Sequence, residues 1–118
     1  MGYEHKLYVV KKGNFTEEDG MRWASVVAVV DISKCYPLNW MIKDKPETDC
    51  FFYADDGDTR IDVDMYGDPL TELTPSEAVE ILEAIVNGGI QYDRLNIALA
   101  MLRAAKDEED LVVLHYGY

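Results

Sequence analysis

The sequence has few basic residues for its size, and this limits what the protein can bind. Among 118 residues, 11 are Lys or Arg and 23 are Asp or Glu, which gives a formal net charge of −12. A surface of this sign repels nucleic acid and anionic membranes, so we expect direct binding to neither. The natural counterpart is a basic protein partner or a metal cation, and we expect the basic protein.

Cysteine and long apolar runs are also scarce. Cys35 and Cys50 lie far apart and lack the paired spacing of a disulfide framework, which favours a reducing cytosol. No apolar run reaches the roughly 18 residues that a membrane span needs, and no signal peptide is visible. We therefore expect a cytoplasmic protein without membrane contact.

Motifs for catalysis and cofactor binding are absent. The chain has no P-loop, no dinucleotide-binding glycine pattern and no Gly-x-Ser-x-Gly elbow. A Cys–His nucleophile would need an activating environment around one thiol, and no local pattern provides one. Asp62 and Asp64 have the residue type for acid–base catalysis, but they equally suit a solvated strand face. We expect no catalytic residue, no cofactor and no enzymatic activity.

Two types of metal site can be tested against the sequence, and neither fits. Asp62, Asp64 and Gly67 partly match a calcium-binding loop, but Tyr66 replaces its fifth-position ligand and Leu73 its bidentate glutamate. For zinc, the candidate ligands lack short spacing: they are His5, Cys35, Cys50 and His115. No metal site is expected, although adventitious cation binding by the acidic residues stays open.

A β-hairpin is predicted between Cys50 and Tyr66. Cys50–Tyr53 is apolar and aromatic, Asp56-Gly57 supplies a turn, and Thr59–Tyr66 alternates between apolar and polar residues. Alternation assigns one strand face to the core, namely Ile61, Val63 and Met65. The opposite face then presents Arg60, Asp62, Asp64 and Tyr66.

The next element is a helix that starts at Thr74. Thr74 and Glu77 match a capping box, and Pro75 occupies the first helical position, where its missing N–H is not needed. Apolar residues at helical spacing continue to Asn87-Gly88-Gly89, which ends the helix. Three glutamates lie away from the apolar stripe: Glu77, Glu80 and Glu83.

The remaining elements complete an α+β pattern. We predict strands at Tyr3–Lys12, Met21–Ser33 and Leu111–Tyr116, a short helical turn within Lys34–Thr48, and a second helix from Asp93 to about Lys106. Met21–Ser33 also fits helical spacing, but its β-branched residues favour a strand. Residues 1–118 should form a single α+β domain, a mostly antiparallel sheet of about five strands with two consecutive α-helices packed on one face.

The negative charge is concentrated in the middle of the chain. Between Asp44 and Glu83 there are thirteen acids against Lys45 and Arg60, a net of −11. Like charges at helical spacing cost roughly 0.2–0.5 kcal/mol per pair. A helix face that carries several glutamates and no lysine therefore indicates a role beyond solubility. Neighbouring carboxylates on one face lie roughly 4.5–6.6 Å apart, comparable to DNA phosphates. The predicted partner-binding surface is Asp56, Asp58, Asp62, Asp64, Tyr66, Glu77, Glu80 and Glu83.

Three segments carry a resemblance to a known group: Gly2–Val10, Lys45–Cys50 and Tyr66–Leu70. They resemble segments of small acidic proteins encoded by phages and prophages of Gram-positive bacteria, and the similarity covers most of the chain. The resemblance implies an origin in a mobile element, where small acidic proteins are often inhibitors of host defence, such as anti-CRISPR proteins and uracil-DNA glycosylase inhibitors. It carries no catalytic motif and supplies no site residue.

The expected function is that of a non-enzymatic phage or mobile-element accessory protein. It would bind and inhibit a basic, nucleic-acid-handling host protein through its acidic surface, as a DNA mimic does. One alternative is an acidic surface that serves solubility alone. Others are a structural or assembly protein that forms a homo-oligomer through strand edges or aromatic residues, and a divalent-cation-binding domain or enzyme.

Overall fold

The computed structural model describes residues 3–118; Met1 and Gly2 lie outside the described residues. In chain order the elements are strands β1 (His5–Thr16) and β2 (Arg22–Ser33), helix α1 (Leu38–Met41), strands β3 (Cys50–Tyr53), β4 (Arg60–Ile61) and β5 (Thr71–Leu73), helices α2 (Pro75–Asn87) and α3 (Asp93–Ala105), and strand β6 (Leu111–Gly117). Across residues 3–118, none of the helices has the length and apolar character needed to cross a membrane.

The strands form one sheet in the order β4-β3-β2-β1-β6-β5. Neighbouring strands are antiparallel except β2 and β3, which run parallel and pair only at Arg22 with Cys50 and Trp23 with Phe51. The α+β class is therefore confirmed. The sheet is mixed and has six strands with three helices, where the sequence predicts about five strands and two helices.

The sheet curls, and apolar clusters lie on both of its faces. The chain before β3 meets β5 through Thr48 N–H to Leu70 O and Glu72 N–H to Pro46 O, both 2.9 Å. One cluster lies on the inner face of the curl and comprises Val10, Ala24, Cys50, Phe52, Leu70 and Leu114. The other packs under the helices and includes Leu7, Val9, Ile32, Leu82, Leu95 and Leu102. Alternation along β1 thus supplies both clusters.

Helix α2 begins and ends where the sequence indicates. Thr74 Oγ1 accepts from Glu77 N–H at 3.1 Å, and Thr74 N–H donates to the Glu77 carboxylate at 2.9 Å, which completes the capping box. The helix ends at Asn87, and Gly89 follows with φ +103°, a conformation that glycine adopts without strain. Its buried residues are Pro75, Ala78, Val79, Leu82 and Ile85.

The predicted strand Thr59–Tyr66 is wrong beyond Ile61. Strand β4 is only Arg60–Ile61, whereas Val63 and Met65 are exposed and Asp64 is buried, the reverse of the predicted alternation. Asp64 Oδ1 accepts from the backbone N–H groups of Tyr66 (2.8 Å) and Asp68 (3.0 Å), which closes a turn. An aspartate that binds backbone amides in this way competes with strand pairing. Gly67, at φ +83°, completes the turn.

Two other segments follow the predictions closely. Met21–Ser33 contains β2, as its β-branched residues favour, and α1 is the short helical turn predicted within Lys34–Thr48.

Strand β1 extends to Thr16, past the predicted end at Lys12, because it continues to pair with β2 up to Thr16–Arg22 after a register shift. Loop composition at Asn14–Thr16 did not reveal this irregular pairing.

Candidate functional site

The predicted partner-binding residues fall on three separate elements. Asp56, Asp58 and Asp62 belong to the β3–β4 hairpin, Asp64 and Tyr66 to the turn that follows it, and the three glutamates to α2. The surroundings of the three groups differ.

Two of the three α2 glutamates already have basic partners. The Glu77 carboxylate lies 2.7 Å from Lys45 Nζ, and the Lys45 hydrogen bond is the main reason why the Glu77 pKa is lowered. Glu83 lies 3.4 Å from the guanidinium of Arg103 on α3. Glu77 and Glu83 have no basic residue close by in sequence. Their partners Lys45 and Arg103 are 32 and 20 residues away, and the fold brings them together. Glu80 is exposed and has no ion pair among the described residues.

Arg60 neutralises part of the hairpin. Its Nη2 lies 2.8 Å from Asp19 Oδ2 and its Nε 3.4 Å from Asp62 Oδ2, while its guanidinium stacks 4.0 Å from the centre of the Phe51 ring. The hydrogen bond to Asp19 is the main reason why the Arg60 pKa is raised. Asp19 belongs to the β1–β2 turn, so this contact joins the acidic residues of two turns.

The tip of the hairpin presents carboxylates on an ordered turn. Asp56 accepts hydrogen bonds from Asp58 N–H and Thr59 N–H, both 2.9 Å, and from the Thr59 hydroxyl at 2.6 Å. The Thr59 side chain is the leading cause of the lowered Asp56 pKa. Asp55 and Asp58 are exposed and have no ion pair within residues 3–118. We call Asp55, Asp56, Asp58 and Asp62 the acidic hairpin.

Asp64 and Tyr66 do not belong to the acidic hairpin surface. Asp64 is only 8% exposed, because it is folded into its own turn. Tyr66 is exposed, and its ring centre lies 5.5 Å from that of Tyr3. The two residues instead border a second feature of the molecule.

That second feature is a buried histidine pair. Nδ1 of His5 lies 2.7 Å from Nε2 of His115, and Nε2 of His5 lies 2.8 Å from Oδ1 of Asn39 on α1. The exposed fractions are 0% for His5 and 4% for His115. Burial, and then the nearby His5, lower the His115 pKa to about 3; burial also lowers the His5 pKa, opposed by its hydrogen bonds to Asn39 and the Cys35 backbone. Both rings are therefore neutral at pH 7.

A cavity of about 420 Å³ adjoins this pair. The polar side chains that line it include Tyr3, Asn39, Asp64, Asp68, Thr71 and His115. Exposed Lys43 also lines it, and no ion pair joins Lys43 to these carboxylates in the described part of the chain. The cavity thus combines a buried carboxylate with a buried imidazole.

One further cluster has the composition of a metal site. Asp49, Cys50 and Glu72 offer three ligand atoms within 4.8 Å of one another. Lys12 Nζ lies 3.6 Å from the Asp49 carboxylate and 3.2 Å from that of Glu72. Because the Lys12 ammonium already contacts both carboxylates, the geometry favours a structural ion-pair cluster over a cation site.

Sequence reasoning treated His5 and His115 as separate strand residues. They meet because β1 lies between β2 and β6, with Leu7 opposite His115 and His5 opposite Gly117. The neighbour of the last strand cannot be read from periodicity, so no local signal indicated the pair. In comparisons with known proteins, no family model, curated protein or solved structure matches this chain.

Proposed function

We propose that the protein is a non-enzymatic accessory protein of a phage or mobile element that binds a basic, nucleic-acid-handling protein in the bacterial cytosol. The observation that carries this proposal is the acidic hairpin, in which Asp55 and Asp58 are exposed without ion pairs on an ordered turn. An inhibitor of the DNA-mimic or anti-CRISPR type would use such a surface to occupy a groove built for phosphates.

The order of the turn supports binding rather than mere solubility. Asp56 fixes the turn with three hydrogen bonds, so little conformational freedom is lost when a partner docks. The carboxylates of the β1–β2 turn extend the negative surface, because Asp19 is tied to the hairpin through Arg60. A negative field of this kind speeds association with a basic partner and makes it sensitive to salt.

The proposed surface is narrower than the sequence suggests. Asp56, Asp58 and Asp62 are retained as contact residues, and Asp55 is added because it shares the turn. Tyr66 stacks beside Tyr3 and Glu80 lies on α2, so both are outside this surface. The other three carry out structural roles: Asp64 closes a turn, Glu77 caps α2 and pairs with Lys45, and Glu83 pairs with Arg103.

Capture from bacterial lysate at two salt concentrations tests the proposal. Immobilised protein should retain a basic partner at about 50 mM NaCl and release most of it at about 500 mM. The double variant Asp55→Asn/Asp58→Asn should lose capture, since it removes two exposed charges without touching the Asp56 cap. Asp107→Asn/Glu109→Gln is the matched control, because it removes two exposed charges after α3. Equal capture by the two variants would refute a role for the hairpin.

Self-association is a second candidate function, favoured by the edge of β2. Because β3 pairs with β2 only at Arg22 and Trp23, the described chain places no second strand beside Ala24–Val30. This stretch is uncharged and exposes Val26, Val27 and Val29. Antiparallel pairing of two such edges would create a symmetric dimer with continuous hydrogen bonding.

Light scattering separates the second candidate from the first. A β2-edge dimer should persist at high salt and dissociate in Val27→Lys, which places a charge in the middle of the edge. Ile97→Lys is the control, since Ile97 is equally exposed but lies on α3. A monomer at all concentrations would exclude this candidate and leave the acidic hairpin unaffected.

A further inference from the structure

With the Asn39 amide oriented as in the structure, the hydrogen-bond chain through the two histidines assigns one consistent set of protons to the ring nitrogens. Asn39 Oδ1 only accepts, so Nε2 of His5 must donate to it at 2.8 Å. A neutral His5 then has an unprotonated Nδ1, which accepts from Nε2–H of His115 at 2.7 Å. His115 is also neutral, so its Nδ1 is left with a lone pair and no proton.

Two acceptor atoms without partners therefore belong to the cavity wall. His115 Nδ1 and Asp64 Oδ2 have no hydrogen-bond or ion-pair partner within residues 3–118, although both side chains are more than nine-tenths buried. In the described chain, the polar side-chain atoms that are fully enclosed and make no hydrogen bond are Nε of Arg22 and Nε of Arg60, the latter within ion-pair distance of Asp62. His115 Nδ1 and Asp64 Oδ2 are not among these enclosed atoms, so both keep contact with solvent, and both residues line the cavity.

The rest of the wall suits a positively charged donor. Asp68 adds a second carboxylate, and Tyr3 adds an aromatic ring whose phenol lies in the field of Asp64 and Asp68, which, after burial, raises its pKa. Aromatic faces and carboxylates together are the usual environment of bound ammonium and guanidinium groups. Lys43 is the basic residue of the wall, and because it is exposed its ammonium can remain in solvent.

We propose that this cavity binds a ligand through an ammonium or guanidinium group, with Asp64 Oδ2 as the counter-charge and His115 Nδ1 as a hydrogen-bond acceptor. The group can come from a free small amine or from a Lys or Arg side chain of a partner protein. The site is independent of the acidic hairpin, so the two can be tested separately.

Butylammonium and propylguanidinium are suitable probes, with butanol and butyrate as neutral and anionic controls. Titration of the full-length protein, followed by ¹⁵N shifts of the His115 imidazole and the Thr71 amide, should give saturable binding of the two cations. Asp64→Asn should weaken it at least tenfold, because asparagine keeps the Oδ1 acceptor that closes the turn but removes the charge. Asp58→Asn, which removes a hairpin charge, should bind as the wild type does.

A measurement on the unmodified protein complements the variants. In the wild type, nuclear Overhauser effects between the probe methylenes and the Thr71 and Pro69 protons would locate the probe in the cavity even if Asp64→Asn failed to fold. Effects at hairpin residues instead, equal binding of butanol, or undiminished binding by folded Asp64→Asn would each overturn the proposal. If an acetylated Gly-Lys-Gly amide binds more tightly than butylammonium, the source is a protein side chain; the reverse order indicates a free amine.

Discussion

His5 and His115 are joined by a 2.7 Å hydrogen bond between Nδ1 of the first and Nε2 of the second, although 110 residues separate them. The bond links adjacent strands β1 and β6, and His5 also bonds Asn39 of α1. A single donor proton lies between the two rings, and burial disfavours a positive charge on either ring, which lowers both pKa values. The stability of the protein should therefore depend on pH.

We predict that the free energy of unfolding falls as pH drops below about 6.5. Unfolded histidine has a pKa near 6.5, whereas folded His115 has a pKa of about 3 and His5 is also lowered. Between these values the unfolded chain binds more protons, so lowering the pH favours unfolding. At pH 5 the loss from His115 alone is roughly 2 kcal/mol.

Urea unfolding at pH 7, 6 and 5 measures this dependence before most carboxylates titrate. The control is His115→Asn, which cannot titrate and should show a shallower slope than the wild type, although its stability at pH 7 is lower. Equal slopes in the two proteins would contradict the assignment of the pH dependence to this pair.

Thr74→Ala should destabilise α2 by about 1 kcal/mol. The substitution removes the oxygen that accepts from Glu77 N–H and leaves the first turn without its cap. The free energy of unfolding in urea measures the loss. Ser76→Ala is the control, because Ser76 is exposed in the same first turn of α2; its effect on stability should be close to zero.

Gly13→Ala should cost roughly 1–3 kcal/mol through crowding in the β1–β2 pair. A Cβ atom at this position would lie 2.7 Å from Cε3 of the Trp23 ring and 3.0 Å from the Trp23 carbonyl oxygen. The ring can shift, since it is partly exposed, but the carbonyl cannot move without disturbing the strand. Asn14→Ala in the same strand is the control, and the free energy of unfolding in urea measures both losses. If Gly13→Ala costs no more than Asn14→Ala, the strand adapts to the added Cβ atom.

Neither thiol should react with Ellman's reagent in the folded protein. Cys35 and Cys50 are buried, and desolvation is the main reason why the Cys50 pKa is raised. Modification should be roughly 100-fold or more slower than in urea, because it requires opening of the core. Ser76→Cys supplies an exposed thiol on α2 as a positive control. Rapid reaction of a native thiol would show that one face of the sheet opens locally.

Elements defined by local chemistry could be predicted from the sequence. The Thr74 cap and the glycines after Asn87 gave both ends of α2, and the β-branched run gave β2. The alternation after Arg60 was misleading, because Asp64 binds the backbone of its own turn in preference to strand pairing. A regular strand and this turn show the same alternation of residue types, and only the hydrogen bonds of Asp64 distinguish them.

Features that depend on distant residues could not be predicted. The pairs Lys45–Glu77 and Arg103–Glu83 neutralise carboxylates that have no basic neighbour in sequence. The histidine pair and its cavity likewise require the position of β6 between β1 and β5. The acidic hairpin was predicted because its turn is local, whereas the burial of Asp64 was not.

Strand β6, the last in the chain, occupies an interior position of the sheet between β1 and β5. During synthesis the nascent chain must therefore hold β1 with one side unpaired until Leu111–Gly117 has emerged. Pairing between strands this distant in sequence is associated with slow folding. Until β6 pairs, the unpaired edge of β1 is a site where chaperones or other nascent chains can bind. Truncation before Leu111 should accordingly yield aggregation in place of a smaller folded unit.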